Sequence, residues 1–250
     1  MDDKQTAAVV IRVMDHGESD KIVTFYCPVL GKLAGIAKGA KRSKKRFLNR
    51  LEPFSLLQLD YAPSRRSSLV LIRQVELLNP FPTLRSSYDR YAAATLLCEL
   101  VLYWTREDDG DQNLFDLLVW ALTSLEKGAP WADTVILFQV KLFTILGYQP
   151  HLAGCQGCGK LEPSQAPYRF SLSQGGLTCS RCNRATGSTT LPLALSTANL
   201  LRLAQDLPSA KLSRLRFSKT SAQEAMDFLK RYGTFLLQHD IQSWAHLAAI

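Results

Sequence analysis

Short apolar runs separated by turn-forming residues mark the first third of the chain. Residues 6–14, 21–27, 32–37, 55–61 and 68–77 are rich in Val, Ile, Leu and aromatics, the composition of strands. Asp15-His16-Gly17, Pro28 to Gly31 and Pro63-Ser64-Arg65 punctuate them. Five short strands predict a small closed barrel. An oligonucleotide-binding (OB) barrel and an SH3-like barrel both fit that count. Asn79-Pro80-Phe81-Pro82 then breaks the pattern, which places a domain boundary there.

Beyond residue 80 the apolar positions recur at helical spacing. Residues 87–104 carry Tyr91, Ala94, Leu97, Cys98 and Val101 on that period. A second helix is predicted over 112–127, ended by Gly128 and Pro130. A third, over 131–146, is followed by Gly147 as a C-terminal cap and by Pro150. A fourth spans 196–205 and stops at Pro208. Ser221-Ala222-Gln223-Glu224 has the form of a capping box and predicts a fifth helix running to about Gln238. The organisation expected is α+β: a barrel domain over 1–80 and an all-α domain over 81–250.

The third helix is apolar enough to prompt the question of a membrane span. Asp133, Gln139 and Lys141 interrupt it and it is short, so a buried central helix is the expectation. The chain opens Met-Asp-Asp-Lys-Gln-Thr, without the basic start and apolar run of a secretory signal, which predicts a cytoplasmic location. In a reducing compartment the six cysteines point to metal binding or burial rather than disulfides.

Composition changes the picture only through charge. The net charge of +8 is uneven: residues 1–80 carry 14 basic and 8 acidic residues, and the other 170 carry 16 and 14. Lys38, Lys41, Arg42, Lys44, Lys45, Arg46 and Arg50 lie in one acid-free run between the third and fourth strands. Several cations on one projecting element suit phosphate binding. A solvated loop, a localisation signal and a patch for acidic membranes are the other readings of such a run. Arg65, Arg66 and Arg73 are second-rank candidates for phosphate contact. Phe25, Tyr26 and Tyr61 can be read as base-stacking faces or, on alternation, as core.

The strongest chemical signal is Cys155-Gln-Gly-Cys158 followed by Cys179-Ser-Arg-Cys182, with twenty residues between the pairs. This spacing predicts four thiolates closing a tetrahedron around one structural Zn2+ per chain, in a module at about 151–190. An iron–sulfur cluster or four reduced thiols are the alternatives. His151 is near enough in sequence to substitute as a ligand but reads better as a surface residue. Cys27 and Cys98 sit in apolar runs and are expected to be buried.

Other chemistry is excluded by pattern. The chain has no Walker A loop, no H-E-x-x-H and no zinc-deaminase signature, and its four histidines lie in no triad context. Glu107-Asp108-Asp109-Gly110-Asp111 lacks calcium-loop spacing and reads as a solvated loop. No catalytic residue is assigned.

Five ordered motifs then resemble the bacterial RecO family of recombination mediators. They are Gly17-Glu18-Ser19-Asp20-Lys21; Gly31-Lys32-Leu33 leading through Ala37-Lys38-Gly39-Ala40-Lys41-Arg42 to Leu51-Glu52-Pro53-Phe54; and Tyr91 through Cys98-Glu99-Leu100. Lys141-Leu142 through Leu146-Gly147-Tyr148-Gln149-Pro150 into the first cysteine pair follows, then Phe170-Ser171-Leu172 with Gly175-Gly176-Leu177 and the second pair. Lys45 departs from the small hydroxyl residue common in the family and adds charge. The resemblance implies an N-terminal OB barrel, a helical domain with an inserted four-cysteine zinc module, and no enzymatic activity. It further implies binding of single- and double-stranded DNA, annealing of complementary strands, and help to RecA in displacing single-strand DNA-binding protein. The implied partners are DNA, RecR, the acidic C-terminal tail of single-strand DNA-binding protein, and RecA indirectly, at the nucleoid. A protein-interaction adaptor whose DNA binding is secondary is the alternative. An acidic tail needs a basic pocket, for which Arg90, Lys141, Arg202, Lys211, Arg214, Arg216 and Lys219 are unranked candidates.

Overall fold

A computed structural model describes residues 4–43, 45–64, 67–182 and 190–247, with the backbone alone at Gln165. The chain forms two compact units, Met1–Gly128 with Ala245–Leu247, and Ala129–Trp244.

In the first unit, five strands close into a barrel: β1 (Lys4–His16), β2 (Asp20–Cys27), β3 (Gly31–Ala37), β4 (Leu56–Ala62) and β5 (Val70–Asn79). Their order around the barrel is β1-β2-β3-β5-β4. The long β1 serves two neighbours. Its first half pairs with β4, from Lys4 opposite Tyr61 to Val9 opposite Leu56, and its second half pairs with β2. An irregularity between Val10 and Arg12 lies where the partner changes, and a bulge there bends the strand around the barrel. Closure comes from a two-residue parallel pairing of β3 with β5, Gly35 opposite Val70 and Ile36 opposite Leu71. A Cβ on Gly35 would stand 2.9 Å from Ile72 Cγ1, so glycine lets the seam close without displacing that side chain. This strand order is OB-like, and it decides between the two barrels that the strand count left open.

Inward-facing Val10, Val23, Phe25, Cys27, Leu57, Leu59, Ile72 and Val75 fill the barrel. Phe47 and Leu51, from the segment joining β3 to β4, are buried in the same core. Two helices complete the unit, α1 (Tyr88–Trp104) and α2 (Gln112–Glu126). Asp111 caps α2: its carboxylate accepts from the N–H groups of Asn113 and Leu114 at 2.7 and 3.1 Å. One member of the acidic run at 107–111 is thus a helix cap.

The second unit is built on α3 (Trp131–Ile145), ten of whose fifteen residues are buried, as its even apolarity requires. Gly147 follows it with φ +79, and the Tyr148 N–H donates back to Phe143 O at 2.8 Å. A four-stranded sheet comes next, in the order β6-β8-β7-β9: β6 (His151–Cys155), β7 (Arg169–Ser171), β8 (Gly176–Thr178) and β9 (Thr190–Pro192). Then come α4 (Leu195–Asp206) and α5 (Lys219–Leu237). Phe170 of β7 meets Phe228 and Tyr232 of α5 at ring separations of 4.7 and 5.1 Å, which fastens the small sheet to the helices.

The capping box expected at Ser221 does not form. Ser218 caps α5 instead, accepting from the Ser221 N–H at 3.2 Å. Glu224 turns to the N-terminus of α4, where it accepts from the Ala194 N–H at 2.6 Å and from the Thr197 hydroxyl. The orphan donors of a neighbouring helix outcompete those of its own. Lys141, a candidate for an acidic-tail pocket, also bonds within the unit. Its ammonium donates to Gln205 O and Leu207 O at the end of α4, and burial pushes its pKa down. No described helix is long and apolar enough to cross a membrane.

Candidate metal centre and nucleic-acid interface

The two cysteine pairs lie at the C-terminal ends of two neighbouring parallel strands, β6 and β8. Cys155 ends β6, and Cys158 follows in a tight turn in which the Gly159 N–H donates to Cys155 O at 2.7 Å. Cys179 follows β8, and the Cys182 N–H donates to Cys179 O at 3.1 Å. The four Sγ atoms all lie within 4.8 Å of one another. Cys158 Sγ and Cys179 Sγ are 3.9 Å apart. Metal–sulfur bonds of about 2.3 Å in a tetrahedron separate neighbouring sulfurs by about 3.8 Å, so the spacing suits one ion.

The surroundings favour thiolate at Cys155. Burial alone would raise the Cys155 thiol, but N–H groups of Cys179, Gly157 and Cys158 outweigh it and hold its pKa at about 6. Two of those bonds are the Gly157 and Cys179 N–H groups donating to Sγ at 3.4 and 3.3 Å. The Cys182 thiol is pushed up to about 12, first by its contact with Cys179 and then by burial and the other two sulfurs. Sulfurs this close oppose one another's ionisation, and a dication removes that opposition. Gly157 makes the approach possible: a Cβ there would stand 2.8 Å from Cys182 Cβ and 3.0 Å from its sulfur. His151 is exposed at the start of β6 and is not among the clustered ligands.

The basic run occupies the link from β3 to β4. Gly39 takes the left-handed conformation and starts a 3-10 turn over Ala40–Arg42. Buried Phe47 and Leu51 pin the remainder to the barrel core, so Lys38, Lys45 and Arg46 stand exposed on an anchored segment. The Arg46 guanidinium lies 5.0 Å from the Phe47 ring centroid and donates to Lys38 O at 3.3 Å. Arg50 is half-buried and donates to Val75 O at 2.9 Å, a bond that ties the segment to β5. Lys41 and Arg42 face the β1–β2 hairpin. Arg73 is exposed on β5. Lys44, Arg65 and Arg66 lie outside the described residues.

Phe25 and Tyr26 are fully buried and Tyr61 is 5% exposed, so none of the three offers a face for base stacking. Sequence reading passed over Asp20. Its carboxylate accepts from the Gly39 N–H at 2.8 Å and from the Ser19 hydroxyl at 2.9 Å, bonds that hold its pKa below the usual value. Asp20 thereby sets where the basic turn begins. The signal available was its place in Gly17-Glu18-Ser19-Asp20, nineteen residues before the glycine it binds.

Comparison with known proteins covers nearly the whole chain. Residues 1–81 match the family model described as "Recombination protein O N terminal", and residues 85–245 match "Recombination protein O C terminal". The chain is 33% identical over 241 residues to DNA repair protein RecO of Syntrophus aciditrophicus, covering 96% of this chain and 93% of that one. It is 35% identical over 213 residues to the protein of the same name from Syntrophobacter fumaroxidans, covering 85% and 84%. It is 34% identical over 242 residues to that of Anaeromyxobacter dehalogenans, covering 96% and 92%. With an OB-like barrel, a helical region and a four-cysteine cluster in the same order as the motifs, the chain belongs to the recombination protein O (RecO) family.

Proposed function

We propose that the chain is a non-enzymatic mediator of DNA repair and homologous recombination, binding single- and double-stranded DNA and annealing complementary strands. The end-to-end family match carries this reading. Residues 1–80 act as the DNA-binding domain and 81–250 as a helical domain. The anchored basic segment supports the assignment physically. Annealing needs cations that screen phosphate repulsion and then let go, and no bond is made or broken.

Cys155, Cys158, Cys179 and Cys182 hold one Zn2+ in this reading. When bound, zinc cross-links the two cysteine pairs, and four protein ligands leave no position for a reacting water. A multi-iron cluster fits less well, because its cysteines must stand around several metal atoms. RecR and the tail of single-strand DNA-binding protein are the protein partners, with RecA reached indirectly at the nucleoid.

The test is annealing of complementary strands precoated with single-strand DNA-binding protein, without ATP. Rapid annealing is the expected result. Retained binding of naked DNA without annealing would make the chain an adaptor instead.

A further inference from the structure

The basic segment carries its own counter-ions. Lys41 Nζ lies 3.1 Å from Asp15 Oδ2 and donates to Gly17 O at 3.1 Å. Arg42 Nη2 lies 3.7 Å from Glu18 Oε2. The Lys41 N–H donates to Ser19 O at 2.9 Å, and the Gly39 N–H to Asp20 Oδ1. Every acid here comes from the β1–β2 hairpin, and the two strand ends are in register, with Asp15 opposite Lys21 and His16 opposite Asp20. Backbone bonds therefore fix the acidic tip beside the basic turn. The side chains of Asp15 and Glu18 are 70% and 93% exposed, so solvent surrounds both and a competing anion can take their place.

From this juxtaposition we infer that Asp15 and Glu18 act as built-in phosphate mimics that mask Lys41 and Arg42. The inference rests on the reading that the segment from Lys38 to Arg50 binds nucleic-acid phosphates. Exposed ion pairs are individually weak, so a phosphate displaces either carboxylate at small cost. The consequence is a lowered affinity and a faster release, because the carboxylates compete for the same cations whenever a phosphate leaves. An annealing protein gains from this, since it must let the finished duplex go. The mask also flattens the salt response. Each carboxylate set free on binding draws back part of a counter-cation, which offsets some of the release from the nucleic acid.

The test uses the full-length chain and a fluorescent single-stranded oligothymidylate, titrated across a salt series. The double variant Asp15→Asn/Glu18→Gln should bind roughly threefold to tenfold more tightly at low salt. Its salt slope should steepen by about one, and dissociation should slow. Glu76→Gln removes one exposed acid on β5, so twice its effect is the control for net charge, and the double variant should gain more than that. In a Lys41→Ala/Arg42→Ala background the same acid substitutions should add nothing beyond that control. An equal gain in that background would overturn the mask, because the acids would then act through overall charge alone. No gain from the acid variant, with binding still weakened by Lys38→Ala/Lys45→Ala, would also overturn it and leave the segment as the binding site. Binding unchanged by all four cation substitutions would instead remove the segment itself from nucleic-acid binding.

Discussion

Gly157 shows how narrowly a single position can be set. Its missing side chain is the space into which Cys182 fits, and its N–H donates to Cys155. Gly157→Ala should lower zinc affinity by about tenfold or more, as loss of ligand support does elsewhere. Competition with a chromophoric chelator measures it, and unchanged affinity would mean the turn relaxes freely. Asp133 is set by its surroundings in another way. It is 6% exposed, and burial pushes its pKa up, with the Phe217 N–H and Arg216 opposing. A raised carboxyl pKa means that the folded chain holds the proton longer than the unfolded one. Stability then falls as pH rises from the unfolded value of 3.8 through the folded value, and the cost is fully present at neutral pH. Asp133→Asn keeps an acceptor for Phe217 and removes the buried charge. Its urea midpoint should exceed wild type at pH 7, and the advantage should shrink towards pH 4.

At the scale of elements, the barrel depends on its shortest pairing. Only two residue pairs join β3 to β5. Gly35→Ala would press a methyl against Ile72 and Val70 at 2.9–3.0 Å, and overpacking of this kind costs about 1–3 kcal/mol. Thermal melts of the variant should show the loss; an unchanged melting temperature would mean that the seam bears little load. The small sheet of the second unit depends on its four-cysteine cluster and on Phe170. Three of its strands are only three residues long, too short to stand without a cross-link. Cys158→Ser should therefore lower zinc content and thermal stability together. Zinc retained at one per chain would disprove the four-thiolate assignment.

For the molecule as a whole, charge placement matters more than net charge. Seven cations of the basic run give a salt slope of roughly −5 on single strands if all engage phosphate. Arg50 is held by Val75 O, and Lys41 and Arg42 are offset by hairpin acids, so the expected slope is shallower, about −3 to −4. Filter binding across a salt series measures it. A slope near −1 would take the basic run out of the mechanism. The same count explains why composition alone overstates the positive surface: the cations are visible in one run, whereas the acids that meet them come from another part of the chain.

The sequence by itself determined the five barrel strands and the five helices, because apolar period and turn residues are local properties. Strand limits moved by a few residues, and all five helices lie where the period put them. It also picked out the four cysteines that the fold brings together, since paired cysteines at fixed spacing have few other uses. Only the tertiary structure decided the rest. Barrel order follows from which strands meet, and the parallel β3–β5 pair joins residues 35 apart in sequence. The four strands of the metal module were not legible, because segments of three residues carry no period. Glu224 looked like a cap for its own helix and serves α4, and Lys141, which interrupts an apolar helix, caps carbonyls of α4. In each case the partner is distant in sequence, and an unsatisfied donor or acceptor brought near by folding outbids the local one.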